Sequence, residues 1–142
     1  MDELTKSLED YLEMILMLQK EHGSARVTDI AKRLNVKKPA VTNALKILSD
    51  KGLVEYFPYK EVQFTRKGKE LAENLLDKHK IITRFFTDVL DIEFSVAEDD
   101  ACKVEHVISE GTFNRLEAFL KFVLESDKNC IDIEKFKKEC KN

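Results

Sequence analysis

Residues 28–52 read TDIAKRLNVKKPAVTNALKILSDKG, a stretch with both of its ends marked. Thr28 is a residue type that accepts a free N–H at a helix start, so a short helix is expected from Asp29 to Leu34. Its Ile30, Ala31 and Leu34 share an inward face, and Asn35-Val36-Lys37-Lys38 follows as a turn. Pro39 suits the first turn of the next helix, where the N–H it lacks would have had no helical partner. Val41, Leu45, Ile47 and Leu48 carry that helix to Lys51, and Gly52 stops it. Short helix, tight turn, longer helix is the spacing of a helix-turn-helix.

Working outward, Leu8, Tyr11, Leu12, Ile15 and Leu18 recur at helical spacing, which predicts a first helix from Leu4 to Glu21 ended by Gly23. After Gly52 the apolar period changes from that of a helix to that of a strand. Leu53 to Phe57 and Glu61 to Thr65 read as two strands joined at Pro58-Tyr59-Lys60, the hairpin of a wing. A long helix is expected from Lys69 to Leu90. Ser95 then caps a helix from Val96 to Ser109, with Glu98 as its capping-box partner. Thr112 to Leu124 and Ile133 to Cys140 read as two further helices. The expected fold is mainly α: a winged helix-turn-helix with a small β-hairpin wing over residues 1–70, then an all-helical domain over residues 71–142.

Charge separates along the same division. From Arg26 to Lys69 there are eleven cations against four acids, a net of +7, which leaves −10 for the rest of a chain whose total is −3. A basic block in an acidic chain is the footprint of a nucleic-acid reader attached to something with another task, although a solvated lysine surface looks the same on charge alone. No apolar run is long enough to cross a bilayer and Met1 to Asp10 lack a signal-peptide pattern, so no membrane partner and a cytoplasmic location are expected. Three cysteines without a CxxC spacing argue against a disulfide framework or a zinc ribbon; Cys130 and Cys140 read as ordinary thiols.

On the second helix of the motif, Pro39, Ala40, Thr42, Asn43 and Lys46 occupy the early, outward positions. Asn43 suits adenine, and Pro39 and Ala40 suit thymine methyls. Thr28, Lys37, Lys38, Lys46 and the wing residue Lys60 suit phosphates. The helix has no arginine, so bidentate guanine readout is not expected and DNA shape and half-site spacing carry more of the specificity.

Cys102, Glu105 and His106 stand at i, i+3 and i+4, one polar helical face opposite the apolar Ala97, Ala101, Val104 and Ile108. Asp10 and Glu13 on the first helix and His79 on the long one are the other candidate ligands. Taken singly, Asp10 and Glu13 read as solvated charges, His79 as a surface histidine between two lysines, and Glu98 as a cap. Metal ligands around a DNA reader point to a transcription factor that senses a divalent ion. Carboxylate, imidazole and one thiolate suit Fe2+, Mn2+, Co2+ or Zn2+. Sulfur disfavours Mn2+, so the set leans to Fe2+ over Mn2+, with Co2+, Ni2+ or Zn2+ able to substitute in vitro.

Ala25-Arg26-Val27-Thr28-Asp29-Ile30-Ala31, Pro39-Ala40-Val41-Thr42, Asp50-Lys51-Gly52-Leu53-Val54 and Thr65-Arg66-Lys67-Gly68 resemble the diphtheria toxin repressor family of metal-dependent regulators. So do Asp77-Lys78-His79 and the run from Ala101 to Ser109. The resemblance implies a homodimer with a winged-helix domain and a helical metal-binding and dimerisation domain. It implies metal-promoted binding to double-stranded operator DNA and repression of iron or manganese uptake genes. Asp10, Glu13, His79, Cys102, Glu105 and His106 fall on the family's ligand positions, with Glu98 a further candidate. The chain is a mosaic: its acid pair on the first helix is similar to the manganese-responsive branch, and Cys102 is similar to the iron-responsive one. Thr83 and Glu98 stand where the iron branch has Glu and His in an ancillary site. A chain ending at Asn142 is similar to the short regulators without an SH3-like domain. The alternative is a winged-helix regulator answering a small organic ligand or a partner protein. An enzyme is not expected, nor is a small-molecule substrate, since no separate general base or oxyanion motif accompanies the ligands.

Overall fold

The structure is a computed structural model that describes residues 3–125 and 131–141. It divides into two compact units, Met1–Leu76 and Asp77–Asn142. In the first, α1 (Lys6–His22) opens with the Thr5 hydroxyl accepting from the Leu8 N–H and closes on Gly23. Then come α2 (Val27–Leu34) and α3 (Lys38–Asp50), and a two-stranded antiparallel sheet of β1 (Val54–Glu55) and β2 (Gln63–Phe64). Val54 pairs with Phe64 and Glu55 with Gln63. The second strand leads into α4 (Arg66–Arg84).

The expected faces are buried. Leu12, Ile15 and Leu18 of α1, Ile30 of α2, and Val41, Leu45 and Leu48 of α3 form one apolar cluster with Val54, Val62 and Ala72. Ile47 departs from the expectation, being half exposed beside that face. Thr28 is not the cap of α2: the helix begins at Val27, Arg26 takes the N-cap position without a capping bond from its side chain, and Thr28 is exposed in the first turn. The wing strands are shorter than the apolar alternation predicts, because the backbone leaves the ladder after Glu55 and rejoins it at Gln63.

Two glycines fix how α3, the wing and α4 meet. Gly52, at φ +71, reverses the chain after α3, and the next residue, Leu53, donates from its N–H to the Leu48 carbonyl at 2.9 Å. Gly68 lies against the backbone of Leu53, where a Cβ would sit 1.8 Å from the Leu53 carbonyl oxygen. The long helix starts earlier than expected because the Thr65 hydroxyl accepts from the Gly68 N–H at 3.1 Å.

The secondary-structure elements of the second unit are all helices among its described residues. The helix expected to reach Leu90 changes character at Phe85, where a π-helical turn runs to Val89. After it come α5 (Phe94–Val104), α6 (Glu110–Glu125) and α7 (Ile133–Cys140). Ser95 and Glu98 do not form the expected cap. The Glu93 carboxylate accepts from the Ser95 and Val96 N–H groups instead, and Glu98 is left exposed. Ile82, Ala101 and Phe113 are the buried centre, with Ile81, Phe86, Val104 and Ile108 around it. Cys140 is exposed, and Cys130 lies outside the described residues. Among the described residues no helix is long and apolar enough to cross a membrane.

Candidate metal centre and DNA interface

In the second unit the ligand candidates meet at Glu105. Its carboxylate has no exposed surface, which is costly for a charge unless it is met by hydrogen bonds or a cation. His79 Nδ1, on α4, donates to Glu105 Oε2 at 2.7 Å. His106 Nε2 lies 3.4 Å from the other oxygen, Oε1, and that imidazole is also buried. Oε1 accepts no hydrogen bond among the described residues. The sequence presents His79 as a lone surface histidine, yet the fold buries most of it against a carboxylate 26 residues away. The Thr83 hydroxyl donates to the His79 carbonyl at 2.8 Å, which pins the turn that carries the ring.

The local fold explains the convergence. Helix α5 ends at Val104, so Cys102 is helical but Glu105 and His106 fall in the turn that follows, rather than inside a helix continuing to Ser109. Glu105 keeps right-handed helical angles, and its N–H donates to the Ala101 carbonyl at 2.9 Å. The side chain therefore still projects along the helical course while the chain turns away beneath it. Cys102, one turn earlier, is half-buried. Buried carboxylate, flanking imidazoles and a nearby thiol match the donors of a borderline divalent ion, and Glu105 Oε1 is a buried acceptor suited to one.

Protonation follows the same geometry. The His79 pKa is raised above its ordinary 6.5, chiefly by the hydrogen bond to Glu105, against the opposing effect of burial and with help from the charges of Glu105 and Glu98. The shift favours the imidazolium form of His79, a positive charge beside the buried carboxylate of Glu105. Glu98 stands beside His79 on an open groove of about 380 Å³ that Thr83, Arg84, Asp88 and Phe94 also line. Asp10 and Glu13, the remaining candidates, are half-buried on α1 of the first unit.

The DNA candidates all lie in the first unit. Lys37 is the N-cap of α3, Lys38, Pro39 and Ala40 form its exposed first turn, and Asn43 and Lys46 are exposed further along. Thr42 is half-buried and Thr28 is exposed on α2. A helix N-terminus normally gains from acids, yet the first turn of α3 has none and two lysines stand at its start. Free N–H groups and lysines together make that end attractive to an anion such as a phosphate. Lys60 is exposed on the wing, its Nζ 5.8 Å from the centre of the Phe57 ring. Phe57 and Tyr59 are exposed at the tip that the sequence places at Pro58-Tyr59-Lys60, and neither is among the DNA candidates.

Known proteins match both units. Residues 3–62 fit the model of the iron dependent repressor N-terminal DNA binding domain. Residues 65–130 fit that of the iron dependent repressor metal binding and dimerisation domain. An uncharacterised helix-turn-helix-type transcriptional regulator of Methanocaldococcus jannaschii is 42% identical over 118 residues, covering 82% of this chain and 94% of that protein. The transcriptional regulator MntR of Escherichia coli O6:H1 is 38% identical over 112 residues, covering 79% of this chain and 72% of its own. The solved structure of the manganese regulator SloR superposes on 84% of the chain with a TM-score of 0.73 at 30% identity, and the chain spans 55% of that protein's length. The chain thus belongs to the iron dependent repressor family of metal-dependent, DNA-binding transcriptional regulators.

Proposed function

We propose that this protein is a homodimeric repressor that binds operator DNA when an intracellular divalent metal ion is plentiful, and that it controls metal-uptake genes. The observation that carries this reading is the Glu105 carboxylate, buried with one oxygen on His79 and the other left without a hydrogen bond. His79, Glu105 and His106 would hold the ion with Cys102, and Asp10 and Glu13 would complete the donor set from the first unit. When bound, the ion supplies the compact positive charge that lets several carboxylates be buried together. Glu98 is a candidate for a further contact through His79.

In a two-fold dimer the two α3 helices would read half-sites about 34 Å apart, and the bound ion would act by fixing that separation. Coupling of about 1–3 kcal/mol, or about 5–150-fold in DNA affinity, is ordinary for such a switch. Lys37, Lys38, Lys46, Lys60 and Thr28 would hold phosphates, while Pro39, Ala40, Thr42 and Asn43 face bases. A thiolate at Cys102 favours Fe2+ over Mn2+, and the carboxylates keep Mn2+ within reach.

Recovery of sheared genomic DNA on the purified protein, with EDTA or with Fe2+ or Mn2+ under anaerobic conditions, tests the reading. Enrichment only with metal, at promoters of metal-transport genes, and its loss in His106→Ala are expected. Equal recovery with EDTA would leave a winged-helix regulator whose effector is something else.

A further inference from the structure

The segment that carries Glu105 and His106 is tied to α4 at both of its ends. At the near end His79 Nδ1 donates to Glu105 Oε2 at 2.7 Å. At the far end Lys78, which immediately precedes His79, places Nζ 2.9 Å from Oε2 of Glu110, the first residue of α6. Adjacent residues on a helix point about 100° apart, so one turn of α4 holds both ends. Between them the chain has left the helix. Val107 is 81% exposed, and the N–H groups of Val107 and Ile108 donate to the Val104 carbonyl at 3.0 and 2.9 Å.

Lys78 is oddly placed for a lysine. Its side chain is only 20% exposed, and its Nζ lies 5.4 Å from the centre of the buried Phe113 ring. It also stands at the start of a helix, where free N–H groups favour an anion. α6 begins without its help: the Ser109 hydroxyl accepts from the Thr112 N–H at 3.3 Å, and Glu110 is the acid of the first turn. A cation beside His79 further repels the ion that His79 would help to hold. These costs are offset if Lys78 acts by holding the chain in place.

We propose that Lys78 is a positioning residue for the metal centre. By gripping Glu110 across the Phe113 ring it fixes the far end of the 105–109 segment, so that the Glu105 carboxylate and the His106 ring are ordered before an ion arrives. Ordering donors beforehand removes the need to order them on binding. Groups that orient metal ligands without touching the ion are worth about 10–100-fold in affinity. The pair itself adds little to folding, since Glu110 is 70% exposed. The proposal rests on His79, Glu105 and His106 holding a divalent ion.

The test is calorimetric titration of the full-length protein with Mn2+, together with amide exchange and melting of the metal-free form. Lys78→Met keeps an apolar stem over Phe113 and removes the charge. Glu110→Gln removes the partner's charge from an exposed side chain, where folding is not at stake. A lysine acting only through its field would, on loss, tighten Mn2+ binding, while loss of the Glu110 charge would weaken it. A lysine that only covers Phe113 would leave both affinities unchanged. Positioning predicts that both variants weaken binding by about tenfold, with the double variant no weaker than either. Amides of residues 105–109 should exchange faster in both, with little change in melting. Lys78→Arg, which can make the same bridge, should recover most of the affinity. Unchanged or tighter binding by Lys78→Met, unchanged amide exchange in Glu110→Gln, or additive losses in the double variant would overturn the proposal and leave the metal centre standing. A wild type that takes up no Mn2+ would overturn the metal centre and the proposal with it.

Discussion

The two units are stabilised by different means. The first buries a continuous apolar cluster from Leu8 to Leu76, and its exposed charges stand on the outside of α2, α3 and the wing. The second has a small apolar centre of Ile82, Ala101 and Phe113, and beside it a buried carboxylate with two histidines. Apolar burial is non-directional and indifferent to small solutes. A buried carboxylate is not, since its cost depends on which cation is available. The apolar packing of the first unit should therefore be indifferent to metal, whereas the state of the buried carboxylate in the second should follow it.

Shape changes in the first unit should produce the largest effect. Gly68→Ala places a methyl group against the Leu53 backbone, and a loss of about 3 kcal/mol is expected. Leu45→Ala, at a site with no exposed surface, should cost about 2–5 kcal/mol. Urea unfolding, followed with and without Mn2+, measures both; neither loss should depend on the ion. Glu105→Ala should behave in the opposite way. Metal affinity should fall by at least about 100-fold in calorimetric titration, and the metal-free protein should lose stability below the raised pKa of His79, because the variant removes that imidazolium's partner.

A smaller effect comes from pH. The raised pKa of His79 means that its pairing with Glu105 stabilises the metal-free fold fully below the ordinary value of 6.5 and is lost as pH rises through the raised one. Metal binding runs the other way, since the ion displaces that proton and should bind more tightly as pH increases over the same window. Thermal melts of the metal-free protein between about pH 5.5 and 8.5 should show the fall, and His79→Ala should flatten it. The finest test of the second unit is ion choice. Cys102→Glu should shift preference from Fe2+ toward Mn2+ by on the order of tenfold in anaerobic competition, as an oxygen donor replaces sulfur.

How much was legible in the sequence differs between the units for the same reason. In the first, periodicity and punctuation carry the answer: Gly23 and Gly52 end helices at positive φ, Pro39 opens α3, and Leu45 and Leu48 face inward as their spacing predicts. Helix starts were read less well. Arg26 occupies the place expected of Thr28, and Glu93 caps the helix assigned to Ser95, because capping is decided by backbone course and not only by residue type. In the second unit, Cys102, Glu105 and His106 stood out by spacing, but the end of α5 at Val104 was hidden by an apolar pattern that continues to Ile108. The bond from His79 to Glu105 crosses 26 residues, and local pattern carries no information about such a distance. The π-helical turn at Phe85–Val89 was equally invisible, since it preserves a run of helix-compatible residues.

The central claim is that a divalent ion held through Glu105 and its histidines raises affinity for operator DNA. Anisotropy of a labelled promoter fragment, anaerobic, in EDTA and then in rising Fe2+ or Mn2+, tests it most directly. The account predicts that metal tightens DNA binding by about 5–150-fold in the wild type and leaves Glu105→Ala and His106→Ala at their EDTA level. Equal affinity in EDTA and in metal, or full activation of Glu105→Ala, would contradict it.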